Sequence, residues 1–214
     1  EIERRILDRI NAAMVKDGYR AIPTGGNPLP LKLVAVRSGL GRYGRNNICY
    51  VPGFGSFHRL VAFYADLPVS KDSWRAPKMM EECEDCDRCR RACPTGAIPA
   101  ERLLLRAERC LALHTERTGP FPEWIDPRWF NCLVGCMICQ RACPVDRDLL
   151  DFSDDAIAFS REETDLMLAG SGYDELPAAT RKRIEEIDMD WIMDVLPRNL
   201  RVLVEKMGSS TRKS

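Results

Sequence analysis

The feature that most constrains this chain is a cysteine phrase that occurs twice between Cys83 and Pro144. The first copy reads Cys-x2-Cys-x2-Cys-x3-Cys-Pro over residues 83–94, and the second reads Cys-x2-Cys-x3-Cys-Pro over residues 136–144. An offset of 50 residues carries the last three cysteines of the first copy onto the three cysteines of the second. The proline after each copy cannot continue a helix and redirects the chain. The repeat therefore predicts two equivalent cysteine-lined sites.

This spacing is typical of a ferredoxin-like module that binds two [4Fe–4S] clusters. Three closely spaced cysteines bind one cluster, and the cysteine before the proline crosses to the other cluster. The ligands expected for cluster one are the three loop cysteines of the first copy and the crossing cysteine of the second: Cys83, Cys86, Cys89 and Cys143. By the same rule, three ligands of cluster two are Cys93, Cys136 and Cys139. Its fourth ligand is either Cys110 or Cys132, and the spacing leaves both open.

Two other uses of cysteine fit this sequence less well. Zinc sites are also built from Cys-x2-Cys units, but they need well-separated pairs rather than two dense runs that end in Cys-Pro. Disulfides are expected in secreted proteins, whereas this sequence does not open with a basic-then-apolar leader. It also has no apolar run of the roughly 18 residues that span a membrane. We therefore expect iron–sulfur clusters in a reducing, cytoplasmic setting.

The charge of the chain is balanced, with 32 Lys and Arg residues against 32 Asp and Glu residues. This balance gives no overall attraction to nucleic acid or to an anionic membrane. With 45% hydrophobic residues, a chain of 214 residues can form one or two domains. The pattern predicts an α+β protein in three parts. They are a small α/β segment over residues 1–75, the ferredoxin-like module over residues 76–150 and a helical C-terminal region over residues 151–214.

Hydrophobic spacing predicts helices at both ends of the chain. Residues 1–16 form an amphipathic pattern that ends near Gly18, and Ser160 begins a capping box. In the tail, two helices are predicted on either side of Pro197, over residues 178–196 and 198–207. The other expected elements are a strand over residues 19–23, a helix that starts at Asn27-Pro28, a hairpin of residues 48–51 with 57–65, and a short helix over residues 101–109.

A glycine-rich phrase from Ser38 to Asn47 contains G-x-G-x-x-G. A dinucleotide site would need a helix to begin inside it, but residues 48–52 are β-branched and aromatic and end in proline. We expect instead that the glycines let the backbone approach a bulky ligand, while arginines meet its polar groups. The candidate cofactor-binding residues are Gly39, Gly41, Arg42, Gly44, Arg45 and Asn46. Nearby Cys49 and His58 are interpreted as packed side chains, as is His114, and Trp124, Trp129 and Phe130 are expected to cover the clusters.

Several phrases, in this order, resemble the epoxyqueuosine reductase family, corrinoid-dependent iron–sulfur enzymes of tRNA queuosine synthesis that are related to reductive dehalogenases. The phrases are Ser38-Gly-Leu-Gly-Arg-Tyr-Gly-Arg-Asn46, Ala65-Asp-Leu-Pro68, Ala92-Cys-Pro-Thr-Gly-Ala-Ile98, Arg109-Cys110 and Gly135-Cys136 to Pro144. The resemblance implies that Cys110 completes cluster two. It also implies a base-off cobalamin between the glycine-rich phrase and the clusters.

Three departures separate this sequence from that family. The family's catalytic aspartate lies in a Thr-Asp-x-x-Pro phrase, and the matching residues run from Thr24 to Pro28 with Gly25 in place of the acid. The family's Trp-Asn after the last Cys-Pro is Val145-Asp146 here. The front half of the corrinoid domain is not in this sequence, so we interpret the chain as truncated and diverged.

These observations predict an iron–sulfur protein that takes electrons from a ferredoxin or flavodoxin and relays them to a corrinoid or a redox partner. The alternative is a cobalamin-dependent reductase that acts on a substrate other than epoxyqueuosine. Because glycine cannot replace a proton donor, no residue is expected to be catalytic in epoxyqueuosine reduction. A tRNA-binding remnant is the third and weakest interpretation.

Overall fold

The computed structural model describes residues 2–25, 29–101, 103–150 and 157–210. Contacts within the chain divide it into two compact units, residues 1–86 and 87–214. Helices and short strands together give the α+β content that the sequence predicts. In the first unit, the helices are α1 (Ile2–Met14) and α2 (Leu31–Ser38), and the strands are β1 (Ala21–Pro23), β2 (Arg42–Tyr43), β3 (Cys49–Tyr50) and β4 (Phe63–Ala65). In the second unit, the helices are α3 (Arg88–Ala92), α4 (Leu111–Glu116), α5 (Ile138–Arg141), α6 (Arg161–Ala169), α7 (Ala178–Glu186) and α8 (Leu196–Ser210).

The first unit is built on two small antiparallel sheets. β1 pairs with β4, and β2 pairs with β3. After α1, a 3₁₀ turn ends at Gly18, whose φ of 81° lies in the left-handed region that glycine enters at little cost. Asn11 holds α1 against β1, because its side chain donates to the carbonyl of Ala21 at 3.0 Å and accepts from the N–H of Ala21 at 2.6 Å. The helix predicted over residues 1–16 and the strand predicted over residues 19–23 are both confirmed.

The hairpin predicted between residues 48–51 and 57–65 is wrong. β3 pairs with the preceding strand, β2, whereas β4 pairs with β1 near the start of the chain. The intervening turn is closed locally by a bridge between Val51 and Gly55. Pairing of strands depends on packing across the unit rather than on nearness along the chain, and the local pattern did not contain that information. The helix start predicted at Asn27-Pro28 lies outside the described residues, and α2 is described from Leu31.

The tail of the second unit forms its own apolar core. The buried residues of this core are Met167, Leu176, Ile184, Ile192, Val195 and Leu196. The capping box at the start of α6 is confirmed, since Ser160 accepts from the N–H of Glu163 at 3.2 Å and the Glu163 carboxylate accepts from the N–H of Ser160 at 2.8 Å. Pro197 does not separate two helices as predicted but lies in the first turn of α8, where its missing N–H would have no helical partner.

The helix predicted over residues 101–109 is a shorter element than expected. In the described residues it is a 3₁₀ helix at Ala107–Arg109, directly before Cys110. The other 3₁₀ helices are Val15–Asp17, Glu81–Cys83, Pro127–Trp129, Pro144–Leu149, Tyr173–Glu175 and Asp190–Ile192. None of the helices in the described part of the chain is long and apolar enough to cross a membrane.

Candidate metal centre

The repeated cysteine phrase is also a repeat in structure. α3 and α5 begin at residues 88 and 138, which are related by the offset seen in the sequence. Each helix is followed by a cysteine in the extended conformation, with ψ of 110° at Cys93 and 125° at Cys143. A residue before proline is restricted to this region of backbone space. Because α3 packs against α5, the helical parts of the two copies lie side by side within the second unit.

Cys139 lies within a group of thiols in the second unit. Burial, together with the neighbouring thiols of Cys136, Cys89, Cys110 and Cys93, raises the pKa of Cys139 to about 12. Burial also raises the pKa of Cys110, and the thiols of Cys136 and Cys93 raise it further. The thiols expected for cluster two therefore lie near Cys139 together with Cys89, which is expected for cluster one.

Fewer of these thiols affect the pKa of Cys132. Burial raises its pKa, and the neighbouring thiol that adds to the increase is Cys136. The thiol of Cys132 donates to Oδ1 of Asn131 at 3.5 Å. The Asn131 side chain also donates to Sγ of Cys136 at 3.5 Å and accepts from the N–H of Met137 at 3.1 Å. The resemblance implies Cys110 as the fourth ligand, and the choice between the two cysteines stays a prediction.

Cys110 is presented by the start of α4. The residue is extended, and the nearby backbone N–H groups of Ala112 and Leu113 lower the pKa of its thiol against the effect of burial. Such donors favour the thiolate form. Thr115, in the same helix, accepts from the N–H of Gly135 at 2.9 Å. Thr115 therefore ties the helix that follows Cys110 to the loop that carries Cys136.

Arg45 holds the two cysteines of cluster one that lie in the first unit. Its guanidinium donates to the carbonyl oxygens of Cys83 at 2.5 Å, Cys86 at 2.7 Å and Glu84 at 3.1 Å. The backbone N–H of Arg45 also donates to Sγ of Cys83 at 3.4 Å. The other two ligands expected for cluster one lie in the second unit, namely Cys89 and Cys143. The complete ligand set of cluster one therefore stays a prediction.

Aromatic side chains surround part of the second copy. Phe130 is buried with Leu111 and Ile125 in a core against which Cys136 and Trp129 pack. Trp124 is 40% exposed and contacts the ring of His114, with centroids 5.3 Å apart. Nε2 of His114 lies 2.9 Å from the carbonyl oxygen of Glu108, which agrees with its interpretation as a packing residue. Phe130 and Trp129 are thus placed to limit the contact of Cys136 with water, and Trp124 is farther out.

The glycines of the glycine-rich phrase allow close packing within the first unit. A Cβ atom at Gly41 would lie 2.6 Å from Sγ of Cys49 and 2.7 Å from the carbonyl oxygen of Tyr50. At Gly44 it would lie 2.5 Å from the ring of Tyr50. Asn46 is buried, and its amide donates to the Tyr50 hydroxyl at 3.0 Å. These residues therefore allow β3 to pack closely.

The outer residues of the phrase also contact the first unit. Gly39 ends α2 with a φ of 84°, and a Cβ atom there would lie 2.7 Å from the Arg75 guanidinium. Arg42 is exposed and lies 4.0 Å from the carboxylate of Glu82. Each of the six candidate cofactor residues thus has a described neighbour in its own unit, and their role in binding a corrinoid stays a prediction.

Gly41→Ala is expected to destabilise the first unit by about 1–3 kcal/mol, because the added methyl group overlaps a buried thiol and a backbone carbonyl. Thermal unfolding of the reconstituted protein would measure this change. Gly208→Ala is the matched control, since Gly208 lies in α8 and, among the described residues, no atom outside the helix backbone lies within 4 Å of its added Cβ atom. That change should leave stability unchanged or raise it. Equal stabilities for the two variants would contradict the close packing at Gly41.

The donor set fits iron–sulfur clusters. All ten cysteines are free thiols, and each iron of a [4Fe–4S] cluster takes one thiolate, so the sulfurs surround the cluster rather than meet at a point. A zinc site instead brings four ligands to about 2.0–2.3 Å from a single ion. Within the residues that the structure describes, no group of three or more His, Cys, Asp or Glu side chains is arranged to hold one metal ion.

Comparison with known proteins first gives the class of the cysteine-rich segment. Residues 82–146 match the family model described as a 4Fe-4S double cluster binding domain. The match includes both copies of the cysteine phrase, together with Cys110 and Cys132. The chain therefore contains a domain for two [4Fe–4S] clusters, as the repeat predicts.

Epoxyqueuosine reductases and a reductive dehalogenase are among the relatives with similar sequences. The chain is 34% identical over 145 residues to the epoxyqueuosine reductase of Burkholderia pseudomallei, which covers 65% of this chain and 35% of that protein. It is 32% identical over 140 residues to the tetrachloroethene reductive dehalogenase of Desulfitobacterium hafniense, covering 60% of this chain and 25% of that protein. The predicted resemblance to epoxyqueuosine reductases is confirmed, although the aligned part of the chain spans 35% of the first of these curated relatives and 25% of the second.

Solved structures show the same fold. An epoxyqueuosine reductase from Bacillus subtilis aligns with a TM-score of 0.72 at 24% identity, covering 96% of this chain and 54% of that chain. Another epoxyqueuosine reductase, with a TM-score of 0.70 and the same coverage, was solved with an epoxyqueuosine-modified tRNA stem loop. The stem loop is a ligand of that protein, and it is the kind of partner that the balanced charge of this chain did not suggest.

Proposed function

We propose that this chain relays electrons through two [4Fe–4S] clusters, from a ferredoxin or flavodoxin to a corrinoid or a redox partner protein. The observation that carries the proposal is the match of residues 82–146 to a 4Fe-4S double cluster binding domain, together with the packing of α3 against α5 in the second unit. When bound, the clusters supply one-electron chemistry whose potential depends on burial and on hydrogen bonds to sulfur. The residues of the chain hold the thiols, donate to them and limit their contact with water.

Hydrogen bonds to the sulfurs are part of this role. The backbone N–H of Arg45 donates to Cys83, and the Asn131 amide donates to Cys136. The Thr95 hydroxyl lies 3.4 Å from Sγ of Cys93. Donors of this kind stabilise negative charge on a thiolate ligand, so they help to set the potential at which each site accepts an electron.

The region where a substrate would react favours a relay over a reductase. The resemblance implies an acid at residue 25, but Gly25 has no side chain and a φ of 61°. The described contacts of the glycine-rich phrase are to its own unit, including those of Gly41, Gly44 and Arg45. These residues therefore have a structural use that needs no corrinoid.

A cobalamin-dependent reductase that acts on a substrate other than epoxyqueuosine is the second candidate. It is supported by the names of the relatives and by the shared order of the glycine-rich phrase and the cysteine copies. Under this alternative, tRNA is a candidate ligand, because a protein of the same fold was solved with a tRNA stem loop. A gel-shift assay at low salt would detect such binding, since phosphate contacts weaken steeply as salt rises.

Anaerobic titration of the reconstituted protein with cob(II)alamin, followed by EPR, separates the two candidates. For a relay protein, we expect the signal of free cobalamin to stay unchanged beside intact cluster signals. Loss of the cobalt–nitrogen hyperfine pattern would show that the chain binds a base-off corrinoid. The proposal of a cobalamin-dependent reductase would then replace the proposal of a relay to a separate partner. Apoprotein without clusters serves as the control for non-specific binding.

A further inference from the structure

Asn199 is a polar side chain with 0% exposure in the first turns of α8. Its amide nitrogen donates to the carbonyl oxygens of Thr115 and Leu133, each at 2.8 Å. Its amide oxygen accepts from Nε and Nη2 of Arg198 at 3.0 and 2.9 Å. Both ends of this amide are thus satisfied, and the side chain joins three separate segments of the second unit.

Two cationic side chains of α8 also donate hydrogen bonds to backbone carbonyls of the same region. Arg198 donates to the carbonyl oxygen of His114 at 2.9 Å and to that of Gly119, and its guanidinium lies 3.9 Å from the ring centroid of Phe121. Lys206 donates to the carbonyl oxygen of Phe130 at 2.6 Å. α8 is therefore fastened by polar contacts to the backbone between residues 114 and 133.

These carbonyls belong to the two segments that carry ligands of cluster two. Thr115 lies in the helix that follows Cys110, and Leu133 lies in the loop before Cys136. The Thr115 hydroxyl accepts from the N–H of Gly135 at 2.9 Å, so Asn199 and Thr115 join the same two segments twice. Loss of the Asn199 amide would leave two carbonyl oxygens in a buried site without this donor.

We propose that Arg198 and Asn199 are positioning residues for cluster two, which fix the distance between the Cys110 helix and the Cys136 loop. This inference rests on the proposed ligand assignment and gives the helical tail a part in the redox centre. Neither residue contacts a thiol in the described structure, so both act through the backbone that they hold.

The test compares Asn199→Ala with Thr180→Val. Thr180 has the same 0% exposure and donates a side-chain hydrogen bond to Glu163, but it lies in α7 among tail residues. After anaerobic reconstitution, we expect Asn199→Ala to retain about four irons per chain instead of about eight, with the EPR signal of cluster one retained. Thr180→Val should lower the melting temperature and keep both clusters at unchanged midpoint potentials.

A second pair of variants keeps the test informative if Asn199→Ala does not fold. Thr115→Val removes the hydroxyl that binds Gly135 and should lose cluster two or shift its midpoint potential, whereas Thr115→Ser keeps the hydroxyl and should behave as the unchanged chain. Two full clusters at unchanged potentials in both Asn199→Ala and Thr115→Val would overturn the inference. So would equal iron loss in Thr180→Val. A Cys110→Ser variant prepared in parallel tests the ligand assignment separately, because that assignment fails if the variant keeps about eight irons.

Discussion

Cys110→Ser is expected to halve the iron content of the reconstituted protein, from about eight to about four atoms per chain, whereas Cys132→Ser should keep about eight. The two cysteines make a matched pair, since both are partly buried and burial raises the pKa of each. They differ in their neighbours. The thiols of Cys136 and Cys93 both raise the pKa of Cys110, whereas that of Cys136 raises the pKa of Cys132, whose thiol donates to Asn131.

Iron and sulfide analysis after anaerobic reconstitution would measure this difference, and EPR of the reduced protein would show which cluster is lost. Cys110→Ala should match Cys110→Ser, which would exclude a serine oxygen as a replacement ligand. Retention of about eight irons in Cys110→Ser together with loss in Cys132→Ser would contradict the assignment. The nearness of the Cys110 thiol to Cys139 would then need an explanation other than a shared cluster.

The cysteine repeat could be predicted from the sequence because its information is local. The offset between the two copies reappears as the offset between α3 and α5, and each Cys-Pro step forces the extended conformation seen at Cys93 and Cys143. The capping box at Ser160 is likewise contained within four residues. Where a few neighbouring residues fix the backbone conformation, the sequence is sufficient to predict that conformation.

The parts that could not be predicted depend on contacts between distant residues. β4 pairs with β1 across more than 40 positions, as Ala21 opposite Ala65 shows, and the local pattern suggested a nearer partner. Asn199 meets Thr115 across 84 positions, and the tail had no recognisable chemistry in the sequence. Arg45 was singled out for polar recognition of a ligand, which stays a prediction, and the sequence did not indicate the contact of its guanidinium with carbonyls of the first cysteine loop.

Arg45→Gln is expected to weaken the first cysteine loop by about 2–4 kcal/mol and to lower the occupancy of cluster one. The guanidinium donates to the carbonyls of Cys83, Glu84 and Cys86, and hydrogen bonds from a charged donor contribute about 1.5–3 kcal/mol each before allowance for partial exposure. Glutamine is shorter and has one amide group, so it cannot reach all three oxygens. Arg45→Lys should restore the charge but little of the effect, because an ammonium group lacks the planar fork of the guanidinium.

Arg42→Gln is the matched control, since Arg42 lies in the same glycine-rich phrase but is exposed and meets Glu82 at 4.0 Å. An exposed pair of this kind contributes about 0–1 kcal/mol, so both the melting temperature and the iron content should stay close to those of the unchanged chain. Anaerobic thermal unfolding, iron analysis and EPR of the reduced protein would compare the three variants. Equal effects of Arg45→Gln and Arg42→Gln would contradict the role of Arg45 in holding the loop. Full recovery in Arg45→Lys would show that charge, rather than the forked contact with three carbonyls, is what cluster one requires.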